Sequence, residues 1–279
     1  RTTLPSMPIT VMKSIKPEPK SFVTAHAGQT KPRIAIYNPW GGALDEGWTR
    51  WLLDQYGYAP KSLHAAEVKA GLKDVDVFIL PDIPAEQIAT GRGGRGGEEG
   101  AAGMRYNEEL PAEYRGALEK EGAQALRAFV ENGGTLLAFS AACDYVIENF
   151  NVPVRNALAR TPASEFSVPG SLVRVHVNEH PVTAGMPAEA AIYIDRNVAF
   201  DTTVPGNEMQ RWVLMSYPSD ARDILLSGWI NGAEHLTRKA AAVAMTYGKG
   251  RIVLYGFRPQ HRGQTHGTFP MVFNALWWK

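Results

Sequence analysis

Short uninterrupted apolar runs recur along this chain, each closed by residues that favour turns. "RIAIY" (33–37) ends in "NPWGG", "DVDVFILPD" (74–82) closes with Pro81-Asp82, and "TLLAFS" (135–140) runs into a cluster of small residues. A run that is apolar at every position predicts a strand covered on both faces, as in a parallel sheet. Helical periodicity fills the gaps. "DEGWTRWLLDQYG" sets Trp48, Trp51 and Leu52 on one face, with Asp45 as N-cap and Gly57 as the stop. The Trp pair, three apart, is expected in the core. "LPAEYRGALEKEGAQALRAFVENGG" (110–134) predicts a long amphipathic helix through Leu118, Leu126, Phe129 and Val130, closed by Gly133-Gly134. "AACDYVIENF" (141–150) predicts another. Strand and helix alternate three times, so the expected fold class is α/β, with a doubly wound, mostly parallel sheet.

The pattern then changes. "SLVRVHV" (171–177), "AAIYID" (190–195), "RWVLMSYP" (211–218) and "DILLSGW" (223–229) read as strands with few helices between them. They predict an antiparallel β extension. "AAVAMTYGKGRIVLYGF" (241–257) predicts a hairpin turning at Gly248-Lys249-Gly250, and "TFPMVFNALWW" a closing helix. Residues 1–32, rich in Pro, Ser, Thr and Lys, lack periodicity and read as a linker or extended arm before a single domain over 33–279. "GRGGRGGEEGAAG" (91–103) lacks the Gly-Lys-Ser/Thr ending of a phosphate loop and reads as a flexible Gly-rich insertion reaching to residue 107.

With 279 residues and a net charge of +1, the chain carries no electrostatic footprint for nucleic acid. No apolar run approaches the roughly 20 residues that span a bilayer. Cys143 is the single cysteine, so an intrachain disulfide and a cysteine-rich zinc site are both excluded. "HAAE" (64–67) and "HVNEH" (176–180) place His near Glu, but neither reads as a helix presenting its ligands together, so no metal site is expected in this chain.

Chemistry in an open parallel sheet belongs at the C-terminal strand tips. Here those tips are "NPWGGALDEGW", "LPD", "FSAACD" and "GFRPQHRGQTH". They supply the candidate site residues Trp40, Asp45, Glu46, Trp48, Arg50, Asp82, Ser140, Arg258, Gln260, His261 and Arg262. Arg258 or Arg262 suits a carboxylate clamp, and tryptophan suits stacking on a sugar or apolar face. The competing expectation is a buried ion pair, of Asp45 or Glu46 with Arg258, that fixes the loops to the sheet. Ser140 with His261 or His266, oriented by Asp82 or Asp144, is the alternative hydrolytic reading, although the junction lacks Gly-x-Ser-x-Gly.

Phe139-Ser140-Ala141-Ala142 resembles the nucleophile elbow of class I glutamine amidotransferase-like proteins, Gly-Ile-Cys-x-Gly, with Ser140 at the cysteine position. Phe257-Arg258-Pro259-Gln260 falls on that family's Phe-His-Pro-Glu. The resemblance implies a flavodoxin-like core and a glutaminase triad changed to Ser140, Arg258 and Gln260. A serine hydroxyl has no thiolate chemistry, arginine cannot act as a base, and Gln260 cannot orient an imidazolium by charge. Catalytic residues are therefore expected to be none. "PRIAIYNPWGGALDEGWTRWLLDQYGY", "GGTLLAFSAACDYVIENFNVPVRN" and "GKGRIVLYGFRPQHRGQTHGTFPMVFNAL" together look like the C-terminal amidotransferase-like domain of bacterial zinc carboxypeptidase-like proteins. "HPVTAGM" (180–186) also resembles a turn of trehalose-utilisation-type domains. The resemblance implies an upstream peptidase domain as partner, zinc only in that domain, a periplasmic or extracellular location, and a small-molecule or peptide ligand for the cleft.

Overall fold

The computed structural model describes residues 26, 28–91, 111, 114, 116–195, 198–206 and 208–279. The Gly-rich insertion and nearly all of the arm lie outside them. Strand β1 (Ile34–Tyr37) leads to helix α1 (Leu44–Gln55), then β2 (Lys61–Leu63), α2 (Ala65–Lys69), β3 (Val77–Leu80), α3 (Ala85–Thr90), α4 (Glu119–Glu131), β4 (Thr135–Phe139) and α5 (Ala142–Phe150). The second half supplies β5 (Val154–Asn156), β6 (Ser171–Val177), β7 (Glu189–Ile194), β8 (Phe200–Thr202), β9 (Arg211–Ser216), β10 (Leu225–Ser227), β11 (Ala240–Tyr247), β12 (Gly250–Tyr255) and α6 (Phe269–Trp277).

Among the described residues, all twelve strands join one sheet. The order β2-β1-β3-β4-β12 is parallel throughout and forms the core. From β12 the sheet continues antiparallel through β11, β9, β6 and β10, with β7 paired to β6 and β8 to β11. This is the doubly wound α/β architecture with its antiparallel extension. Alternation along each core strand explains the layers. Ile34, Ile36, Ile79, Leu137, Phe139, Val253 and Tyr255 face α1 and α6, whereas Ala35, Phe78, Leu136, Ala138, Ile252 and Leu254 face α2 to α5. Both faces are buried, as the continuous apolar runs require.

Several local expectations are corrected. Ala43, not Asp45, is the N-cap of α1, and Asp45 lies buried inside the first turn. Leu52 and Leu53 carry that helix's buried face, while Trp48 and Trp51 are 38% and 44% exposed. The two indoles meet edge to face at 6.0 Å on the surface instead of filling the core. The helix expected over 110–134 runs from Glu119 to Glu131 among the described residues. Only 225–227 of "DILLSGW" is a strand, since 221–223 forms a 3-10 turn. The short helices α2 and α3 carry too few turns for a periodic signal. Of the arm, His26 stacks on Trp277 and Lys31 Nζ donates to the Gly57 carbonyl, so its last residues are tied to the domain.

Candidate functional site

The order β2-β1-β3-β4 places the switch point of the sheet between β1 and β3, and side chains following β1, β3, β4 and β12 meet there. At the end of β4 the chain turns sharply. Ser140 sits at φ +49°, in the left-handed region, its N–H bonded to the Tyr255 carbonyl at 2.7 Å, and α5 begins two residues later. A non-glycine residue so placed stores about 1 kcal/mol of strain. Ser140 is buried. The fold therefore retains a strained strand-to-helix elbow where the sequence resemblance set one.

In hydrolase elbows the N–H after the nucleophile stabilises the developing oxyanion. Here that donor, Ala141 N–H, is bonded to Asp82 Oδ1 at 3.1 Å. The carboxylate gains from the positive end of α5 as well. A substrate oxyanion at this point meets a resident negative charge instead of a free donor.

Asp82 belongs to a wider network. Arg258 Nε lies 3.7 Å from Asp82 Oδ2, and Arg258 Nη2 pairs with Asp195 Oδ2. The Asp82 N–H donates to Asp45 Oδ2 at 2.9 Å, and Gln260 Nε2 donates to Asp45 Oδ1 at 3.0 Å and to Thr49 Oγ1 at 2.7 Å. Thr49 in turn donates to the Asp45 carbonyl one turn back. The buried ion pair thus exists, but Arg258 takes Asp82 and Asp195, not Asp45 or Glu46. Arg258 is well covered, its side chain 13% exposed. Its Nη2 is taken by Asp195, and its Nε faces Asp82 beyond hydrogen-bond distance.

Burial pushes the Asp45 carboxyl up to about 6, against the hydrogen bonds from Asp82 N–H and Gln260 that favour its anion. Burial, followed by the charge of Arg258, pushes His261 down to about 4, so its imidazole is neutral near pH 7. The His261 ring stacks on Tyr193 at 4.0 Å and leaves Nδ1 without a partner; no hydrogen bond joins it to Ser140. His266 stacks on Phe269, and Asp144 is bonded to Asn156. The serine–histidine pair is not assembled.

The remaining candidates make none of the hydrogen bonds or ion pairs of this network. Glu46 accepts from Ser62 Oγ at 2.5 Å and from Arg50, an i,i+4 pair on α1. Trp40 stacks on His64 at 3.5 Å, and Arg262 is exposed at φ +50°. His64 and Glu67 serve α2, with Glu67 Oε2 accepting the His64 N–H, while His180 accepts from Val182 N–H. Among the described residues no group of His, Cys, Asp and Glu gathers as metal ligands. Cys143 is buried, its thiol directed at the Ala138 and Tyr255 carbonyls and its pKa raised by burial. Thr49, Tyr193 and Asp195 complete the centre without having been expected there. Asp195 closes the strand predicted at 190–195, and nothing local signals that it reaches Arg258, 63 residues on.

No known protein family matches the sequence, and no curated protein does. Solved structures do match in three dimensions. A candidate GMP synthase component from Thermoplasma acidophilum superposes with a TM-score of 0.50 at 12% identity, over 88% of this chain and 92% of that one. A chain of PurLQS from Thermotoga maritima gives a TM-score of 0.50 at 18% identity, over 89% and 98%. At such identities the likeness carries the fold and nothing of activity. The chain has a glutamine amidotransferase-like α/β fold, with a strained strand-to-helix turn at Ser140 and the N–H that follows it bonded to Asp82.

Proposed function

We propose that this chain is a non-catalytic, amidotransferase-like accessory or binding domain of a secreted zinc carboxypeptidase-like protein. The single observation that carries the non-catalytic part is the Asp82 carboxylate on Ala141 N–H, the donor a hydrolytic transition state needs. The side chains at the former triad positions agree with it. Ser140 has no base bonded to it, while Arg258 and Gln260 serve a salt-linked network that ties α1, the β3 and β12 tips and the β7 end together. Attachment to an upstream peptidase and a periplasmic or extracellular location rest on the sequence resemblance. No helix among the described residues is long and apolar enough to cross a membrane.

The test pairs two assays on the purified chain. Glutamine hydrolysis is expected to be indistinguishable from that of Ser140→Ala, and a serine-directed phosphonate is expected to leave Ser140 unmodified. Ser140-dependent ammonia release, or a phosphonate adduct on Ser140, overturns the reading. A second reading, carbohydrate binding, is favoured by the exposed Trp48–Trp51 pair. It predicts quenching of tryptophan fluorescence by sugars that Trp48→Ala abolishes, and a flat titration ends it.

A further inference from the structure

At the opposite end of the sheet from the elbow lies a groove of about 1040 Å³. It runs past the starts of β3, β4 and β12, between α4 and the last residues of α6, with Thr30–Arg33 as one wall. We propose that this groove docks an acidic polypeptide segment of a partner.

Charge is the first argument. Lys73, Lys249 and Lys279 line the groove with no carboxylate of the described residues bonded to them, although Lys279 helps hold Asp76 ionised. Arg251 donates to the Lys249 and Gly250 carbonyls, so its charge is fixed in place but not neutralised. Asp76 is the acid that lines the groove among the described residues, and Arg33 already occupies it. A wall with this imbalance attracts an anionic partner and repels a basic one.

Geometry selects the kind of anion. A convergent phosphate site uses free backbone N–H groups. Here the N–H groups of Gly133, Gly134, Thr135, Lys249 and Arg251 all bond to protein carbonyls. The cations are instead spread along the groove on separate elements, as suits an extended chain carrying several carboxylates. Single-stranded nucleic acid needs open aromatic faces for stacking. Trp277 is already stacked on His26, Trp278 lies under Arg251, and the Phe129 ring packs on Gly134. The chain's own first 25 residues carry Arg1, Lys13, Lys16 and Lys20 against Glu18, the wrong sign for this surface.

The experiment measures anisotropy of a fluorescein-labelled oligoglutamate peptide titrated with the full chain at low salt. Binding is expected, weakening as salt rises, and Lys73→Glu/Lys249→Glu is expected to weaken it about tenfold. Lys61→Glu/Arg160→Glu makes the same change in net charge outside the groove and is expected to leave affinity unchanged. Circular dichroism confirms that both variants fold. The proposal is overturned by absence of binding, by equal weakening in the two double variants, or by tighter binding of tripolyphosphate or an oligonucleotide than of the peptide.

Discussion

Ser140 holds its backbone at φ +49° although a glycine would sit there without strain. Its side chain makes none of the bonds that hold the network together, so Ser140→Gly is expected to leave stability unchanged or raise it by up to about 1 kcal/mol, read from urea denaturation. Ser140→Val, β-branched at the same φ, is expected to lower it. Asp45 makes one contribution to pH dependence. With its carboxyl raised from 3.8 to about 6, the native state binds more protons than the unfolded chain between those values. Its contribution therefore favours folding below about pH 4 and is lost as pH rises to about 6, a swing of about 3 kcal/mol. His261 works in the opposite sense, because a pKa lowered from 6.5 to about 4 makes stability fall as pH falls through that range. The two separate by substitution. The stability of wild type relative to Asp45→Asn is expected to drop between pH 4 and 6, and a flat difference would falsify the role given to Asp45. Residue identity alone already excluded a thiolate at position 140 and a general base at position 258, because serine and arginine supply neither in any fold. The left-handed Ser140 and the perturbed Asp45 were not legible, since both are set by what packs around them.

Elements meet through two contacts that the chain cannot relax. Arg258, at the β12 tip, pairs with Asp195 after β7 and lies 3.7 Å from Asp82 after β3. Removing the cation of a buried ion group leaves its carboxylates without charge compensation, which costs more than the group contributes when intact. Arg258→Met is expected to cost about 3 kcal/mol at pH 7, and adding Asp195→Asn should recover part of it, both read from denaturant midpoints. The second contact is at the start of β12. A Cβ on Gly250 would stand 2.1 Å from the Val130 carbonyl oxygen and 2.3 Å from that of Gly134, both backbone atoms. Gly250→Ala is expected to lower the thermal midpoint sharply, by about 3 kcal/mol of stability or by failure to fold. The hairpin that turns through Gly248-Lys249 was visible as paired apolar runs about a glycine turn. The close approach of α4 to it was not, because a helix about 120 residues earlier in the chain leaves no mark on the local pattern.

At the scale of the molecule, the two ends of one sheet carry opposite characters. The C-terminal tips hold a closed network of three aspartates and one arginine around a retained elbow. The N-terminal edge holds a cationic groove with little among the described residues to neutralise it. The sequence by itself determined the layers of the fold. Runs apolar at every position require cover on both faces, and helical periodicity between them supplies it, whatever else the chain does. It also set serine, arginine and glutamine at positions 140, 258 and 260, where the resembled family carries cysteine, histidine and glutamate. Only the tertiary structure decided that Arg258 pairs with Asp195, that Asp82 fills the donor beside Ser140, and that residues from Lys31 to Lys279 converge on one groove. Local pattern reports on neighbours a few residues away. Charge pairing and donor occupancy depend on distances of a few ångströms between segments that only folding brings together.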